Sequence, residues 1–303
     1  MGDLAFAAGQ AFSGLSFASI LLLAALGLAL SFGLMRVINM AHGDLLMLGG
    51  YLAYIAQQSV PEGLFVPAAM LFAFLGTAAI GALIEVGVIR RLAGRPLDTL
   101  LATWGISLVL QQLARNLFGP TGVEVLAPAW LSGSATPGYG VLDGVSFSYV
   151  RLFVLGLAVT VLVLLWIFLS RTRAGLIVRA CYEDREMAQA LGVNARLVNT
   201  MVFALGSGIA GLAGSALAFL SPVTPTVGLS YIVDAFLVVI LGGVGSLVGT
   251  AVASLFIGSL SAFVEAFTSV SFAKVLLLLV TVALLQFRPQ GLIVVRSRVQ
   301  EGT

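Results

Sequence analysis

Runs of about twenty apolar residues recur from one end of this 303-residue chain to the other, the length an α-helix needs to cross a bilayer. Candidate spans lie at 16–35, 37–56, 64–89, 97–118, 149–169 and 198–220, with three more near 231–245, 247–267 and 272–287. The seventh is short and glycine-rich, which suits a re-entrant or broken segment. The expected fold is all-α: a polytopic membrane protein of about 8–10 transmembrane helices forming one unit over 1–303. Composition agrees, since 60% of the residues are apolar and only 9% charged, against roughly 25% charged in soluble domains. That balance excludes a soluble enzyme, a nucleic-acid binder and a disordered scaffold. One cysteine, Cys181, rules out a disulfide framework, and one histidine and one lysine, His42 and Lys274, leave little for acid–base or phosphate chemistry.

The basic residues orient the spans. Nine crossings place Arg36, Arg90, Arg91, Arg95, Arg171, Arg173, Arg179, Arg185, Arg196, Arg288, Arg296 and Arg298 on one side. Only Arg115, Arg151 and Lys274 fall on the other. By the positive-inside rule the N-terminus is expected outside and the C-terminus in the cytoplasm. The large loop at 170–197 is then cytoplasmic and the Gly-, Pro- and Ser-rich loop at 119–148 external. The first 15 residues carry no basic charge ahead of an apolar run, so no cleavable leader is expected.

Polar groups inside apolar spans are costly and often functional. Asn39-Met40-Ala41-His42-Gly43-Asp44 opens the second span. It reads either as a polar lining or pivot, or more plainly as a helix start with Asn39 as cap and Asp44 satisfied by a neighbour. No second His or Cys lies nearby to complete a metal site. Asp234 precedes Leu241-Gly242-Gly243-Val244-Gly245-Ser246, which lacks the lysine of a phosphate-binding loop and reads as a helix break at Gly242, Gly243 and Gly245. Asp44 is likewise followed by Gly49-Gly50 in a span of opposite direction, a hint of inverted repeats. Gly206, Gly208, Gly211, Gly214 and Ser215 form a small-residue stretch suited to close helix packing. Along the fourth span Asp98, Thr99, Thr103, Gln111 and Gln112 suit either interhelical hydrogen bonds or solute contact, while Glu85 and Glu265 are expected at solvated rims.

In the basic loop, 183–191 reads as a short amphipathic helix with Met187, Ala190 and Leu191 on one face and Gly192 as its stop. Glu183, Asp184 and Glu186 disfavour an anionic lipid surface, so the apolar face either folds back on the chain or docks into a partner protein.

These motifs together resemble the permease subunits of branched-chain amino-acid-type ABC importers, over nearly the whole chain. The resemblance is carried by Val37-Ile38-Asn39-Met40-Ala41-His42-Gly43-Asp44, by Glu183-Asp184-Arg185-Glu186-Met187-Ala188 with Leu191-Gly192-Val193-Asn194, and by Leu241-Gly242-Gly243-Val244-Gly245-Ser246. Within that family the stretch from Gly94 to Ser107, the run from Gly206 to Asp234 and the run from Lys274 through Pro289 to Leu292 look most like the urea-importer permease. So do Val123-Glu124-Val125 and Pro128-Ala129-Trp130-Leu131-Ser132-Gly133 of the external loop. The acidic 183–186 segment instead looks like the amino-acid permeases.

The resemblance implies a multi-pass protein of the bacterial inner membrane that catalyses no covalent chemistry and holds no cofactor or metal. ATP is used by partners: two cytoplasmic ATPases, alongside a second homologous permease and a periplasmic solute-binding protein. Glu183, Asp184, Arg185, Glu186, Met187, Ala188, Leu191 and Gly192 would form the coupling helix that docks on an ATPase. Asn39, His42, Asp44, Thr103, Gln111 and Asp234 are the candidates for path or gate under alternating access. Urea is the first substrate reading and a branched-chain amino acid the alternative. An ion-coupled secondary transporter or a passive channel are rivals from other classes, although neither needs the loop helix.

Overall fold

The structure, a computed structural model, describes residues 2–35, 37–136, 146–288 and 290–293. Arg36, Pro289, Arg296 and Arg298 and the middle of the 119–148 loop lie outside the described residues. Eleven α-helices form among them: α1 (Gly2–Met35), α2 (His42–Ser59), α3 (Phe65–Gly87), α4 (Pro96–Phe118), α5 (Tyr149–Arg171), α6 (Arg173–Glu183), α7 (Arg185–Ala190), α8 (Ala195–Ala218), α9 (Val227–Gly242), α10 (Leu247–Glu265) and α11 (Val270–Phe287). Six spans are long and apolar enough to cross a membrane, and these contain α1, α3, α5, α8, α10 and α11. The all-α polytopic architecture is therefore as expected. A two-residue hairpin, Ser134–Ala135 with Phe147–Ser148, precedes α5.

Helix α1 is the axis of the assembly, packed against α5, α8, α9 and α10. It starts at Gly2, well before the expected 16, because Gln10, Ser13 and Ser16 lower the hydropathy of its first half without breaking the helix. Its 34 residues extend about 51 Å, far beyond one hydrocarbon core. Helix α8 fills the space between α1, α2 and α3, and its small residues do the packing read from the sequence. Gly206 lies backbone to backbone on Gly27 of α1, Gly211 on Gly49 of α2 and Ala73 of α3, and Gly214 on Leu46 and Gly50 of α2. Lipid supplies no hydrophobic drive for such contacts, so dispersion between closely approaching backbones has to hold them.

Two spans are discontinuous. Residues 37–41 are not helical, and α2 begins at His42, whose Nε2 lies 3.0 Å from the carbonyl of Ala24 on α1. Along α1, Ser13 pairs with Arg151 at the start of α5 and Gly33 packs on Gly245 at the opposite, basic end. At 1.5 Å per residue Ala24 stands about 14–16 Å from each, so α2 starts near mid-depth. Helix α9 starts at the same depth, because Gly228 in its first turn abuts Gly43 of α2 backbone to backbone. The segment before it contains Pro222 and Pro225, which cannot continue α8, and Val223 there forms an antiparallel bridge with Val123. From this shared level α2 runs toward the far end and α9 toward the basic end.

The glycines at 242–245 do interrupt helix, but at the basic end of α9 rather than within a span. Gly243 and Gly245 have φ of 99° and 82°, and they turn the chain from α9 into α10. Ser246 caps α10 by accepting from Gly249 N–H at 3.0 Å. Glu85 is no solvated rim residue. It is buried and held by Arg90 at 2.9 Å and by the Thr200 hydroxyl at 2.6 Å, a charge neutralised between α3, its following turn and α8.

Packing this close makes a stability prediction. Gly214→Ala, which drives a methyl into the α2 backbone, is expected to cost about 1–3 kcal/mol. Gly105→Ala, where the added methyl meets open space, should leave stability unchanged or slightly raised. Thermal unfolding of the two variants in detergent checks the pair.

Candidate translocation site

The six residues expected at a path or gate are all buried, and they gather around the two helix starts. The Asn39 side chain accepts the Ala41 N–H at 3.1 Å, bending the chain just before α2, but the residue at the cap position is Ala41 and not Asn39 as expected. Its Nδ2 has no hydrogen-bond partner among the described residues. The Met40 N–H, left over by the break, donates to Thr103 Oγ1 on α4 at 3.1 Å. One turn into α2, Asp44 accepts from Gln111 Nε2 at 3.1 Å, and the same Nε2 lies 3.0 Å from Ser107 Oγ. Thr99, Thr103, Ser107 and Gln111 fall four residues apart and form the buried stripe of α4, the interhelical hydrogen-bonding role considered for it. The other faces of α4 are apolar and exposed, from Leu97 to Leu117, while Asp98 sits near Arg95 at 3.8 Å and Gln112 bonds Asn116. Tyr51 stacks on Phe118 at 4.3 Å and ties the far end of α4 to α2.

Two helix N-termini at one depth put two positive dipole ends together, a repulsive arrangement unless negative charge is nearby. Asp44, in the first turn of α2, supplies it. His42 faces the other way, toward α1. Asp234 lies two turns into α9 and is bridged by Lys274 of α11, 3.7 Å from its Oδ2, while Lys274 also donates to the Ser230 carbonyl at 3.2 Å. Asn39, Asp44, Thr103 and Gln111 are thus one cluster, with His42 and Asp234 on separate sides of it.

Open space lies elsewhere, along α1. A cavity of about 440 Å³ at the far end is bordered by Ser13, Ser16, Phe17 and Ile20 of α1, by Arg151 of α5 and by Glu265 of α10. A second, of about 330 Å³ at the basic end, is bordered by Ala29, Leu30 and Gly33 of α1 with Trp166 of α5, Tyr182 of α6 and Leu247 of α10. Between Ile20 and Ala29, Leu21, Leu23, Ala25, Leu26 and Leu28 are wholly buried. That plug is about 13 Å thick at a helical rise of 1.5 Å per residue. None of the six expected residues borders either cavity. Sequence reading missed Arg151 and Glu265 because charges close to span ends look like rim residues; their signal was that each closes or opens a helix facing the same polar half of α1.

At the basic end the loop holds two helices where one was expected. Thr172 caps α6 by accepting from Gly175 N–H at 3.0 Å, and Asp184 caps α7 by accepting from Met187 N–H at 2.9 Å. Asp184 therefore divides the expected 183–191 helix, leaving Glu183 at the end of α6. Ala188 is buried against the chain and is not available to a partner, whereas Met187 and Leu191 are 58% and 79% exposed. Glu186 and Arg185 are exposed beside them, and Gly192, with φ of 87°, turns the chain toward α8. Tyr182 of α6 donates its hydroxyl to the Val244 carbonyl at 3.2 Å, its ring lying over Gly245 in the α9–α10 turn.

Half-spans meeting at mid-depth, and cavities at both ends of one plugged helix, define a multi-pass transport protein. The chain belongs to the family described as branched-chain amino acid transport system, permease component, which matches residues 10–285. It is 30% identical over 294 residues to the high-affinity branched-chain amino acid transport system permease protein BraD of Pseudomonas aeruginosa, covering 94% of each chain. It is 28% identical over 297 residues to the Escherichia coli permease protein LivH, again covering 94% of each. A 106-residue stretch, 33% of each chain, is 34% identical to the ribose import permease protein RbsC of Bacillus subtilis. No solved structure matches. These relatives are transport permeases, not enzymes, and they favour the amino-acid alternative over urea.

The Asp44–Gln111 contact yields a prediction. Asp44→Ala and Gln111→Leu are each expected to destabilise the purified protein by about 1–3 kcal/mol. The double variant should lose clearly less than the sum, since both remove one interaction. Additive losses in thermal unfolding would show that the two side chains act independently.

Proposed function

We propose that this chain is the permease subunit of an ATP-driven importer that carries branched-chain amino acids across the bacterial inner membrane by alternating access. The observation that carries the reading is the pair of cavities at the two ends of α1, separated by the leucine-rich plug of 21–28. A passive channel would need one continuous polar route instead. The substrate reading follows from the amino-acid permeases that align with the chain from end to end.

In this reading the basic end is cytoplasmic, the N-terminus external and the C-terminus cytoplasmic, as the arginine distribution asks. Two ATPase subunits, a second homologous permease and a periplasmic solute-binding protein complete the importer. Met187 and Leu191, held outward on the α6–α7 elbow, dock on an ATPase. ATPase closure then moves α6, and the Tyr182–Val244 hydrogen bond passes that motion to the α9–α10 turn. Both helices pack on α1, so the shift repacks the plug and opens one cavity as the other closes. Asn39, Asp44, Thr103 and Gln111 act as the hinge that keeps the broken backbone satisfied during that movement, with His42 and Asp234 bracing α2 and α9 against α1 and α11.

Proteoliposomes holding this chain, its partner permease and the ATPases, with the binding protein supplied, are expected to accumulate labelled leucine with ATP, and not labelled urea. Urea uptake would move the chain to the urea branch, and leucine uptake by this chain without ATPases would sink the importer reading. Met187→Glu with Leu191→Glu should cut ATP-driven uptake about tenfold or more while leaving thermal stability intact, because both side chains are exposed.

A further inference from the structure

The external cavity contains one full charge of each sign. Arg151 stands in the first turn of α5 and Glu265 in the last turn of α10, two helices that flank α1. Both are half-buried. They face the same cavity without coming within ion-pair distance of each other, and no salt bridge among the described residues occupies either. Arg151 Nη1 donates to Ser13 Oγ at 3.2 Å, which fixes the guanidinium against α1 while its planar fork retains further N–H donors. Glu265 Oε1 accepts from Ser261 Oγ at 2.8 Å, and its other oxygen makes no hydrogen bond to the described residues. Two opposite charges held apart over one cavity are each left without an ionic partner among the described residues. A ligand carrying both complementary charges would relieve this.

The deep wall of the same cavity is apolar. Phe17 and Ile20 of α1 and Leu217 of α8 border it, and Ile20 and Leu217 are buried. They lie directly above the plug that starts at Leu21.

We propose that this cavity is an external binding site for an α-amino-acid zwitterion, with Arg151 taking the carboxylate, Glu265 the ammonium, and Phe17, Ile20 and Leu217 receiving an aliphatic side chain. A carboxylate on an arginine fork is a bidentate, charge-assisted contact. The ammonium and carboxylate of one α-carbon are close neighbours, so a single ligand bridges the two protein charges and neutralises both. A neutral diamide such as urea has no charge to offer and leaves the mismatch in place. Selection in the permease is then a second check, applied after any delivery protein has released its cargo. The site also explains why the first half of α1 carries Ser13 and Ser16 while the second half is leucine: the polar half holds the charged end of the solute, and the leucine half closes behind it.

This inference rests on the amino-acid reading above, and the experiment separates the two. The complete transporter is reconstituted with its binding protein, and initial rates of labelled leucine uptake are measured at saturating ATP. Absence of leucine uptake by the unsubstituted protein overturns the substrate reading before any variant is made. Given uptake, Arg151→Gln and Glu265→Gln are each expected to lower the rate at limiting leucine about tenfold or more, the size of one lost charge-assisted contact. Arg151→Lys, which keeps the charge and loses the fork, should fall between Arg151→Gln and the parent. Arg115→Gln, at an exposed arginine of the same end that does not border the cavity, should match the parent. The proposal is overturned if Arg151→Gln and Glu265→Gln stay within twofold of the parent. It is equally overturned if both lose uptake only in step with a fallen thermal midpoint and Arg151→Lys is no better than Arg151→Gln, the pattern of a structural role.

Discussion

The structure depends on how two backbones that stop being helical inside a membrane are kept satisfied. Irregular backbone at that depth is tolerated only where protein covers it. The contact of Gly43 with Gly228 meets that demand, because a side chain on either residue would hold the starts of α2 and α9 apart. With the two starts in contact, the free N–H groups of the break fall within reach of α4: Met40 finds Thr103, and Asp44 sits where Gln111 can hold it. The small-residue seams of α8 are the second half of the same solution. They bring α1, α2 and α3 close together around the junction, where Asn39 and Asp44 are buried.

Much of this was legible in the chain and some was hidden for identifiable reasons. Nine helices stand where nine apolar runs stood, and the small residues of α8 pack as their spacing indicated. The break before α2 was concealed because Val37 and Ile38 are apolar and extend the run backwards; only Asn39 and His42-Gly43 betrayed it. The break before α9 carries a plainer signal in Pro222 and Pro225, whereas the more conspicuous Gly242 and Gly243 lie at the other end of that helix. Those glycines serve a tight turn at a helix end. Glu85 looked like a rim residue because its partners, Arg90 and Thr200, lie 5 and 115 positions away and only the fold unites them. The same limit hid the charge pair of the external cavity, whose members are far apart in sequence and on different helices.

Helix α1 has two unlike halves, and in the proposed mechanism that asymmetry organises transport. A leucine segment surrounded by protein gains little from hydrophobic burial in a membrane, since lipid is as apolar as leucine. The plug from Leu21 to Leu28 is therefore held by shape complementarity, a term that repacks readily when neighbouring helices slide. One side-chain hydrogen bond does reach it, between His42 Nε2 and the Ala24 carbonyl, and breaking that contact would cost a buried hydrogen bond. The other polar contacts described above lie toward the far end of α1 and at the α2–α9 junction, where they keep the broken backbone satisfied.

In the proposed mechanism a motion enters at the basic end and reaches the plug through contacts between helix ends. Gly175 sits against the carbonyls of Phe168 and Leu169, so α6 is folded back tightly on the end of α5 and cannot swing free of it. Tyr182 then joins α6 to the α9–α10 turn, and Gly245 in that turn packs on Gly33 of α1. With Gly175 anchoring α6, the Tyr182–Val244 and Gly245–Gly33 contacts connect the helix pair that carries the exposed Met187–Leu191 surface to the wall of the basic-end cavity. A displacement entering that link arrives at Gly33, four residues beyond the first residue of α1 that lines the cavity and five beyond the last leucine of the plug. Coupling of this kind needs stiffness rather than distance, and close-packed glycine contacts provide it, because they leave no side-chain rotamers to absorb the motion.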